Sequence, residues 1–407
     1  MPKPFLLFIV FIFLATGCAS TPPTPMSAPL TQTSLSPTAT RAPSTVTPIP
    51  PTATNLPPTA TSIPPTATLT KSPVPTFTPT LRPTATLTPI PCSAPLRQCA
   101  DGKQIEIGTY LNGMWFQDAK WREIVAREFN LAVISSGFYW RDVEPARGQF
   151  NFSFADQQVA FARSNNMRMV GHALLLAEAP YLPDWLVDGN FNREELTQLL
   201  RNYIVQMMTR YKGQISQYIV VEDAPIPPDT DADVFYNKFG YDYVDLAFQI
   251  ARATDPTAVL VYNAGDNETS DGVATALTHQ IVQRLKSKGL IDGVGLEMHL
   301  DGNMLYTKQD VIATMRSYGL PVYVTEIDVD LTYVSGTPEE RYARQARIYG
   351  DMFAACLESG VCQSYAVWGI GDKYSWLERN SPNADGTLYD DNLNPKPAYF
   401  AVREVLR

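Results

Sequence analysis

Carboxylates and a histidine stand at the ends of three apolar segments: Glu222 and Asp223 in YIVVEDAP, Glu297 and His299 in GVGLEMHL, and Glu326 and Asp328 in PVYVTEIDV. Two facing carboxyl groups, one protonated and one ionised, can break a glycosidic bond. The first protonates the departing oxygen, while the second attacks the anomeric carbon or activates a water molecule. Repulsion between neighbouring carboxylates raises the pKa of one of them, and this divides the two tasks.

Two other interpretations of these acidic residues are open from the sequence. The side chains could cap helices and form ion pairs in loops, although several acids that converge on one place would repel one another without a function. Hard divalent cations take oxygen ligands, so Glu222, Asp223, Glu297 and His299 could instead form a cation site. No compact metal-binding loop motif supports this second interpretation.

The three segments belong to a series of eight short apolar runs that predict β-strands: IEIGTYL, LAVISS, MRMVGHALLL, YIVVEDA, AVLVYNA, GVGLEMHL, PVYVTEIDV and SYAVWGI. Stretches with helical periodicity lie between them, at residues 193–211, 241–254, 271–288 and 338–358. Eight strands that alternate with helices predict a (β/α)8 barrel, with a doubly wound open sheet as the alternative. In such barrels the active site lies at the carboxyl ends of the strands, where the acids stand.

The first 18 residues predict export. A lysine is followed by an apolar run and small residues before Cys18, in LATGC, as in a bacterial lipoprotein signal peptide. Cys18 would then carry lipid and tether the chain to a membrane, on the extracellular face of the bacterial cell envelope. An ordinary signal peptide that contains a cysteine by chance is the alternative.

Residues 19–91 are rich in Pro and Thr and repeat the unit PPTAT, which predicts a disordered, extended stalk. The folded domain is therefore predicted at residues 92–407. Four further cysteines fall into two close pairs, Cys92 with Cys99 and Cys356 with Cys362. In an oxidising compartment these pairs predict two disulfides, with buried free thiols as the alternative.

The charge and composition limit the partners of the chain. A net charge of −9 argues against a nucleic-acid partner. The chain has three histidines, and their spacing from the cysteine pairs does not match a zinc site. We therefore expect no metal or other cofactor.

The motifs resemble those of glycoside hydrolase family 10, the retaining endo-β-1,4-xylanases, over nearly the whole predicted domain. The resemblance rests on WRDVEPARGQFNFSFAD, GHALL, GVGLEMHL, VTEIDV and the long C-terminal segments VWGIGDKYSWL and LYDDNLNPKPAYFAV. It implies that Glu326 is the nucleophile and Asp223 the acid/base. It also implies a substrate-binding set: Glu222, His172, Asn263, Glu297, His299, Trp368 and Trp376.

The sequence departs from the family at several sugar-binding positions. Asn-Glu at the end of strand four is replaced by Glu222 and Asp223, and the glutamine of strand six is replaced by Glu297. Asp223 retains a proton donor, but its side chain is one carbon shorter, which withdraws the carboxyl group by roughly 1.5 Å. Further replacements occupy the loops after strands two and three: Ser135, Ser136 and Tyr139 for Glu, Asn and Lys, and Leu176, Ala177, Glu178 and Ala179 for Trp-His-Ser-Gln.

The sequence predicts a surface-tethered, monomeric hydrolase that cleaves β-1,4 bonds of a xylan-type polysaccharide. The altered sugar-binding positions support an alternative from another class, a catalytically weak or inactive barrel that binds carbohydrate at the cell surface.

Overall fold

The strands close into a barrel whose carboxyl ends carry the acidic residues. The computed structural model describes residues 94–111, 113, 115–228 and 233–407. The predicted signal peptide, the stalk and Cys92 lie outside these residues.

Eight parallel barrel strands are present in the described part of the chain. They are β1 (Glu106–Leu111), β2 (Leu131–Ile134), β3 (Arg168–Gly171), β4 (Gln217–Glu222), β5 (Val259–Ala264), β6 (Gly293–Leu296, continued by a short segment His299–Asp301), β7 (Val322–Asp330) and β8 (Cys362–Val367). Each pairs with its sequence neighbour, and β8 pairs with β1, for example at Tyr365 and Ile107. The predicted (β/α)8 barrel is confirmed, and the open sheet is excluded by this closure.

The helices surround the strands. They are α1 (Leu96–Lys103), α2 (Ala119–Glu128), α3 (Trp140–Val143), α4 (Ser153–Ser164), α5 (Asp184–Val187), α6 (Arg193–Arg210), α7 (Tyr236–Phe239), α8 (Asp242–Thr254), α9 (Thr275–Ser287), α10 (Lys308–Ser317), α11 (Pro338–Ser359), α12 (Leu377–Asn380) and α13 (Pro397–Val405). Short 3₁₀ turns occur at Trp115–Gln117, Ala179–Tyr181 and Asp372–Tyr374. The four helices predicted from periodicity are confirmed as α6, α8, α9 and α11.

Local sequence signals fix where the long helices begin. Asn192 and Glu195 form a capping box at the start of α6, in which each side chain accepts a hydrogen bond from the backbone of the other residue. Thr337 and Glu340 do the same for α11, where Pro338 occupies the first turn. These caps satisfy amide groups that the first helical turn leaves unpaired.

The barrel interior is filled from several strands at once. Buried side chains of β2, β3, β4, β5 and β7, together with Ala173, form one apolar cluster: Leu131, Val170, Ala173, Ile219, Val261 and Tyr323. Strand β4 is buried over its whole length, which explains its continuous β-branched run. The packed interior leaves the carboxyl ends of the strands as the place for polar side chains.

One predicted disulfide is present. Cys356, near the end of α11, is bonded to Cys362, the first residue of β8. The other predicted pair is not tested, because Cys92 lies outside the described residues. No helix among the described residues is long and apolar enough to cross a membrane.

Candidate active site

A cleft of about 580 Å³ opens at the carboxyl ends of the barrel strands. Its lining combines acidic, aromatic and basic side chains: Tyr110, Ser136, Tyr139, Arg141, Asp142, Leu176, Glu178, Tyr181, Glu222, Asp223, Glu297, His299, Glu326, Trp368, Trp376 and Arg379. Of the predicted catalytic and substrate-binding residues, all but His172 and Asn263 line this cleft. These two are fully buried and contact the acids from below.

Glu326, on β7, is held by several hydrogen-bond donors. Its Oε1 accepts from Nε2 of His172 at 3.0 Å and from Nδ2 of Asn263 at 2.7 Å. Nε2 of His299 lies 3.6 Å from the other oxygen. Burial alone would raise the pKa of Glu326, but the two histidines lower it to about 2. The side chain is therefore a carboxylate at neutral pH.

The orientation of the Asn263 amide follows from residues on two neighbouring strands. Oγ1 of Thr325 donates to Oδ1 of Asn263 at 2.8 Å, which directs the NH₂ group toward the acids. Gly295 leaves the space for this side chain, because a Cβ atom there would lie 2.0 Å from Asn263 Oδ1. The glycine in β6 thus makes room for the side chain of Asn263 on β5.

His172 follows β3 and lies between two carboxyl groups. Its Nε2 is 3.0 Å from Oε2 of Glu222 as well as from Oε1 of Glu326. Nε2 carries one proton and can donate it to only one of these two oxygens at a time, so the other carboxyl oxygen is held by charge alone. Burial opposes the charged imidazole, but the two carboxylates raise the pKa of His172 to about 10.

Glu222 ends β4 and is only 6% exposed. Burial and the neighbouring Glu326 raise its pKa to about 7, against the opposite effect of His172. The acid at this position is therefore partly protonated near neutral pH, unlike Glu326.

Asp223 follows Glu222 and leaves the strand with a left-handed backbone, at φ +47°. Its side chain is partly exposed in the cleft, and its Oδ1 accepts a hydrogen bond from the backbone N–H of Gly265 at 3.1 Å. Burial in the cleft raises the pKa of Asp223, and the charge of Glu326 acts in the same direction. Glu222 and Asp223 are consecutive, but their side chains thus contact different residues.

Glu297 and His299 complete the cluster from β6. Oε1 of Glu297 accepts from Nδ2 of Asn263 at 3.1 Å. His299 is oriented by Asp328, whose Oδ1 lies 2.9 Å from Nδ1 and whose Oδ2 accepts from Nε1 of Trp376 at 2.7 Å. Although burial opposes it, Asp328 and Glu326 raise the pKa of His299 well above its ordinary value.

The two predicted tryptophans lie in the cleft wall. Trp368 stacks on Tyr110 with ring centroids 4.3 Å apart, and it forms a T-shaped pair with the ring of His172 at 5.2 Å. Trp376 is fixed through Asp328 and packs against His299 at 5.1 Å. Flat aromatic faces beside the carboxyl groups suit the apolar faces of sugar rings.

Five further residues line the cleft and were not expected from the sequence: Tyr110, Arg141, Asp142, Tyr181 and Arg379. Tyr139 and Tyr181 have ring centroids 5.1 Å apart, and the Arg141 guanidinium lies 6.0 Å from each ring. Arg141, Tyr181 and Arg379 lie on short elements after β2, β3 and β8, and spacing gives no signal of where such loops place a side chain. Tyr110 lies within the predicted strand IEIGTYL, where alternation alone does not tell a cleft residue from a core residue.

Three overlapping groups of side chains bring donor atoms within 4.8 Å of one another: His172, Glu222 and Glu326; Glu297, His299 and Glu326; and Glu222, Asp223 and Glu297. They share members, so they describe one cluster of carboxyl groups rather than three centres. The spacing would admit a hard cation, but we assign none, because shared protons and the imidazoles also balance these charges.

The matches to known proteins cover most of the chain. The family model described as glycosyl hydrolase family 10 matches residues 95–405. Endo-1,4-beta-xylanase B of Thermotoga neapolitana is 31% identical over 320 residues, which are 77% of this chain and 91% of that protein.

Solved structures agree with the sequence matches. Native xylanase 10B from Thermotoga maritima superimposes with a TM-score of 0.72 and is 31% identical, covering 77% of this chain and 98% of that one. Xylanase 10B from Thermotoga petrophila, solved with xylobiose, has a TM-score of 0.71 at 31% identity, covering 79% of this chain and 98% of that one. From the barrel, the carboxyl cluster and these matches, we conclude that the chain belongs to glycosyl hydrolase family 10.

Proposed function

We propose that the protein is a retaining β-1,4-glycosidase of the endo-xylanase type, with Glu326 as nucleophile and Asp223 as acid/base. The observation that carries this proposal is the environment of Glu326. Two imidazoles and an amide keep its carboxylate ionised and directed into a cleft that also holds acids of raised pKa. An ionised carboxyl group beside protonated ones is the equipment of glycosidic bond cleavage.

The reaction proceeds in two steps. In the first, Glu326 attacks the anomeric carbon while Asp223 protonates the departing oxygen, which leaves a glycosyl ester on Glu326. In the second, Asp223 takes a proton from water as the water attacks the same carbon and releases Glu326. The carboxyl groups need no metal for either step.

Glu222 is the other candidate for the acid, since its pKa is about 7 and one of its oxygens lies within 4.8 Å of a Glu326 oxygen. We favour Asp223 because an acid/base must exchange protons with the leaving group and with incoming water. Asp223 is partly exposed in the cleft, whereas Glu222 is buried against His172. Glu222 would then contact the sugar, at the position where the family carries an asparagine.

A xylan-type substrate is supported by the three relatives, all of which are named xylanases and one of which was solved with xylobiose. The replaced sugar-binding positions favour a second candidate function. Tyr139, whose hydroxyl accepts from Oγ of Ser135, stands where the family has lysine. A barrel altered in this way would serve as a carbohydrate-binding surface protein if its turnover were lost.

Export and tethering rest on the signal-like segment that ends at Cys18 and on the Pro/Thr-rich stalk. A lipid at Cys18 would hold the hydrolase on the outer surface of the bacterial envelope. There it would meet a polysaccharide too large to enter the cell.

The direct test is release of reducing ends from soluble β-1,4-xylan by the full chain, with Glu326→Ala as the matched control. We expect hydrolysis by the wild type, unchanged by EDTA, and none by the variant. Binding of xylan without turnover by either form would favour the binding protein. Equal turnover by both forms would show that Glu326 is not the nucleophile.

A further inference from the structure

We propose that Asp223 and Glu297 share one proton and act together as the acid/base of the site. Glu297 would then be a further member of the catalytic machinery rather than only a contact to the sugar. This inference rests on the proposed function, because it concerns how the same site protonates the departing oxygen.

The two carboxyl groups meet beside Gly265. One oxygen of each carboxyl group lies within 4.8 Å of an oxygen of the other, and Oδ1 of Asp223 accepts a hydrogen bond from the N–H of Gly265. Oε2 of Glu297 lies on the same side, since a Cβ atom on Gly265 would be 3.0 Å from it. The other oxygen of Glu297 already accepts from Asn263. Two carboxylates this close in a buried cleft repel each other, and one shared proton removes that repulsion and allows a hydrogen bond between them.

The charges that face Glu297 also favour a proton on the pair. Glu297 is 5% exposed, and the charged and titratable groups near it come from several strands: Glu222 at the end of β4, Asp223 after it, the Tyr262 phenol on β5, His299 in the continuation of β6, and Glu326 on β7. Nε2 of His299 lies 3.9 Å from Glu297 Oε2, and Nε2 of His172 lies 3.0 Å from both Glu222 and Glu326. Two imidazoles therefore balance a cluster of four acids, Glu222, Asp223, Glu297 and Glu326. Burial and these carboxylates raise the pKa of Glu297 well above its ordinary value.

The proton balance follows from the two-step reaction. Before cleavage the pair holds one proton and one negative charge, and Glu326 holds another negative charge. Cleavage moves the shared proton to the departing oxygen while Glu326 forms a neutral ester, so the total charge of protein and substrate is unchanged. When water opens the ester, the pair takes up its proton and Glu326 is ionised again.

The sequence suggests why a pair would replace a single acid here. By its resemblance to the family, the chain has Asp in place of Glu at the acid/base position and Glu in place of Gln beside it. An amide can donate a hydrogen bond to a carboxylate, but it cannot hold or release the transferred proton. Repulsion between the two carboxylates raises the pKa at which the pair loses its last proton above the pKa of a lone aspartate, as in other coupled carboxyl pairs.

The test compares the pH dependence of kcat/KM on β-1,4-xylan for the full-length wild type and Glu297→Gln. The amide keeps the size and a donor but removes the shared proton and a negative charge, so Asp223 should lose its proton at lower pH. We expect the alkaline limb of the profile to move to lower pH by about one unit or more. On that limb, a shift of one unit lowers kcat/KM about tenfold at a given pH. The same shift is expected in a Glu222→Gln background, which removes any contribution of Glu222 to the limb.

The matched control is Glu268→Gln. Glu268 is also buried, and burial raises its pKa to about 7, but it does not line the cleft. This variant should keep the wild-type profile. An alkaline limb of Glu297→Gln that stays in place, or moves to higher pH, would overturn the proposal.

A second measurement does not depend on turnover. At pH 7, the infrared spectrum of full-length Glu222→Gln minus that of Glu222→Gln/Glu297→Gln should show a protonated carboxyl C=O band of the pair. The Glu222→Gln background removes the band of Glu222, and Glu268 contributes equally to both proteins. If no form of the protein hydrolyses xylan but this band behaves as expected, the shared proton stands and the hydrolytic function fails. If hydrolysis occurs and the band is the same in both forms, the shared proton is wrong.

Discussion

The two consecutive acids Glu222 and Asp223 differ because the strand end turns between them. Glu222 still belongs to β4 and is enclosed beside His172, while Asp223 adopts a positive φ and enters the cleft near Gly265. Their environments therefore differ in exposure and in neighbouring charge. Environment, rather than residue type, assigns different roles to like side chains.

A first prediction concerns the role of Asp223. Asp223→Asn should lower hydrolysis of xylan by roughly 10²- to 10⁴-fold, because the departing oxygen is no longer protonated. An activated aryl β-xyloside needs little protonation, so its first step should largely survive while the second step slows. Initial rates and the burst of released phenol on both substrates measure this difference.

Glu222→Gln is the comparison for that experiment, since an amide restores the chemical type that the family carries at this position. Glu222→Gln should slow the first step, in which the departing oxygen is protonated, less than Asp223→Asn does. A Glu222→Gln variant as inactive as Glu326→Ala, together with a near-normal Asp223→Asn, would show that Glu222 is the acid.

A second prediction concerns stability against pH. The pKa of Glu222 rises from 4.5 to about 7 on folding, so the folded state binds its proton more tightly than the unfolded chain does. This contribution to stability is complete below pH 4.5 and is lost as the pH rises through 7. The loss is at most roughly 3 to 4 kcal/mol, from a shift of about 2.5 pKa units at about 1.4 kcal/mol per unit.

Denaturant unfolding of the wild type and Glu222→Gln at several pH values between 4 and 8 measures that loss. The free energy of unfolding of the wild type should fall relative to the variant as the pH rises through this range. Glu339→Gln, at an exposed glutamate in the first turn of α11, controls for the substitution itself. A constant difference between wild type and Glu222→Gln across the range would contradict the raised pKa.

At the scale of elements, the strands were the most predictable feature of the chain. All eight apolar runs contain a barrel strand, because strands covered on both faces must be apolar along their length. The predicted helix 271–288 in fact begins at Thr275, because Asp271 to Ala274 form turns before α9. Apolar periodicity locates a helix better than it locates its first residue.

The contacts within the site were less predictable than the elements. His172 and Glu326 are 154 residues apart in sequence, and only the closure of the barrel brings them to 3.0 Å. The acids that end β4, β6 and β7 could be expected to converge, since parallel strands place their carboxyl ends together. The distribution of protons among them depends on distances and burial, which the sequence does not contain.

A third prediction concerns the disulfide that joins α11 to β8. Cys356 and Cys362 are six residues apart, and both are buried. In the chain-entropy model, closing so short a loop stabilises the folded state by about 2 kcal/mol. The double variant Cys356→Ala/Cys362→Ala should lose about this amount in denaturant unfolding. Reduction of the wild type with dithiothreitol should lose a similar amount, and an unchanged midpoint in both experiments would mean that the bond adds no net stability.

At the scale of the whole molecule, the chain combines a folded hydrolase domain with a long N-terminal segment of different composition. If residues 19–91 form the extended stalk that their composition predicts, they would span on the order of 200 Å at roughly 3.1 Å per residue. Such a stalk would let a surface-bound enzyme reach polysaccharide beyond the immediate envelope. The value of that reach depends on whether the N-terminus is anchored.

The last prediction therefore tests the anchor. If Cys18 carries lipid, Cys18→Ser should move the protein from the membrane fraction to the soluble or secreted fraction and abolish incorporation of labelled palmitate. The reason is that each acyl CH₂ buried in the bilayer contributes about 0.8 kcal/mol, so several acyl chains give stable attachment that their loss removes. Ser20→Ala, two residues away, is the matched control and should remain membrane-bound. A Cys18→Ser variant that stays as firmly bound as the parent would mean that the uncleaved apolar run, residues 5–14, is itself the anchor.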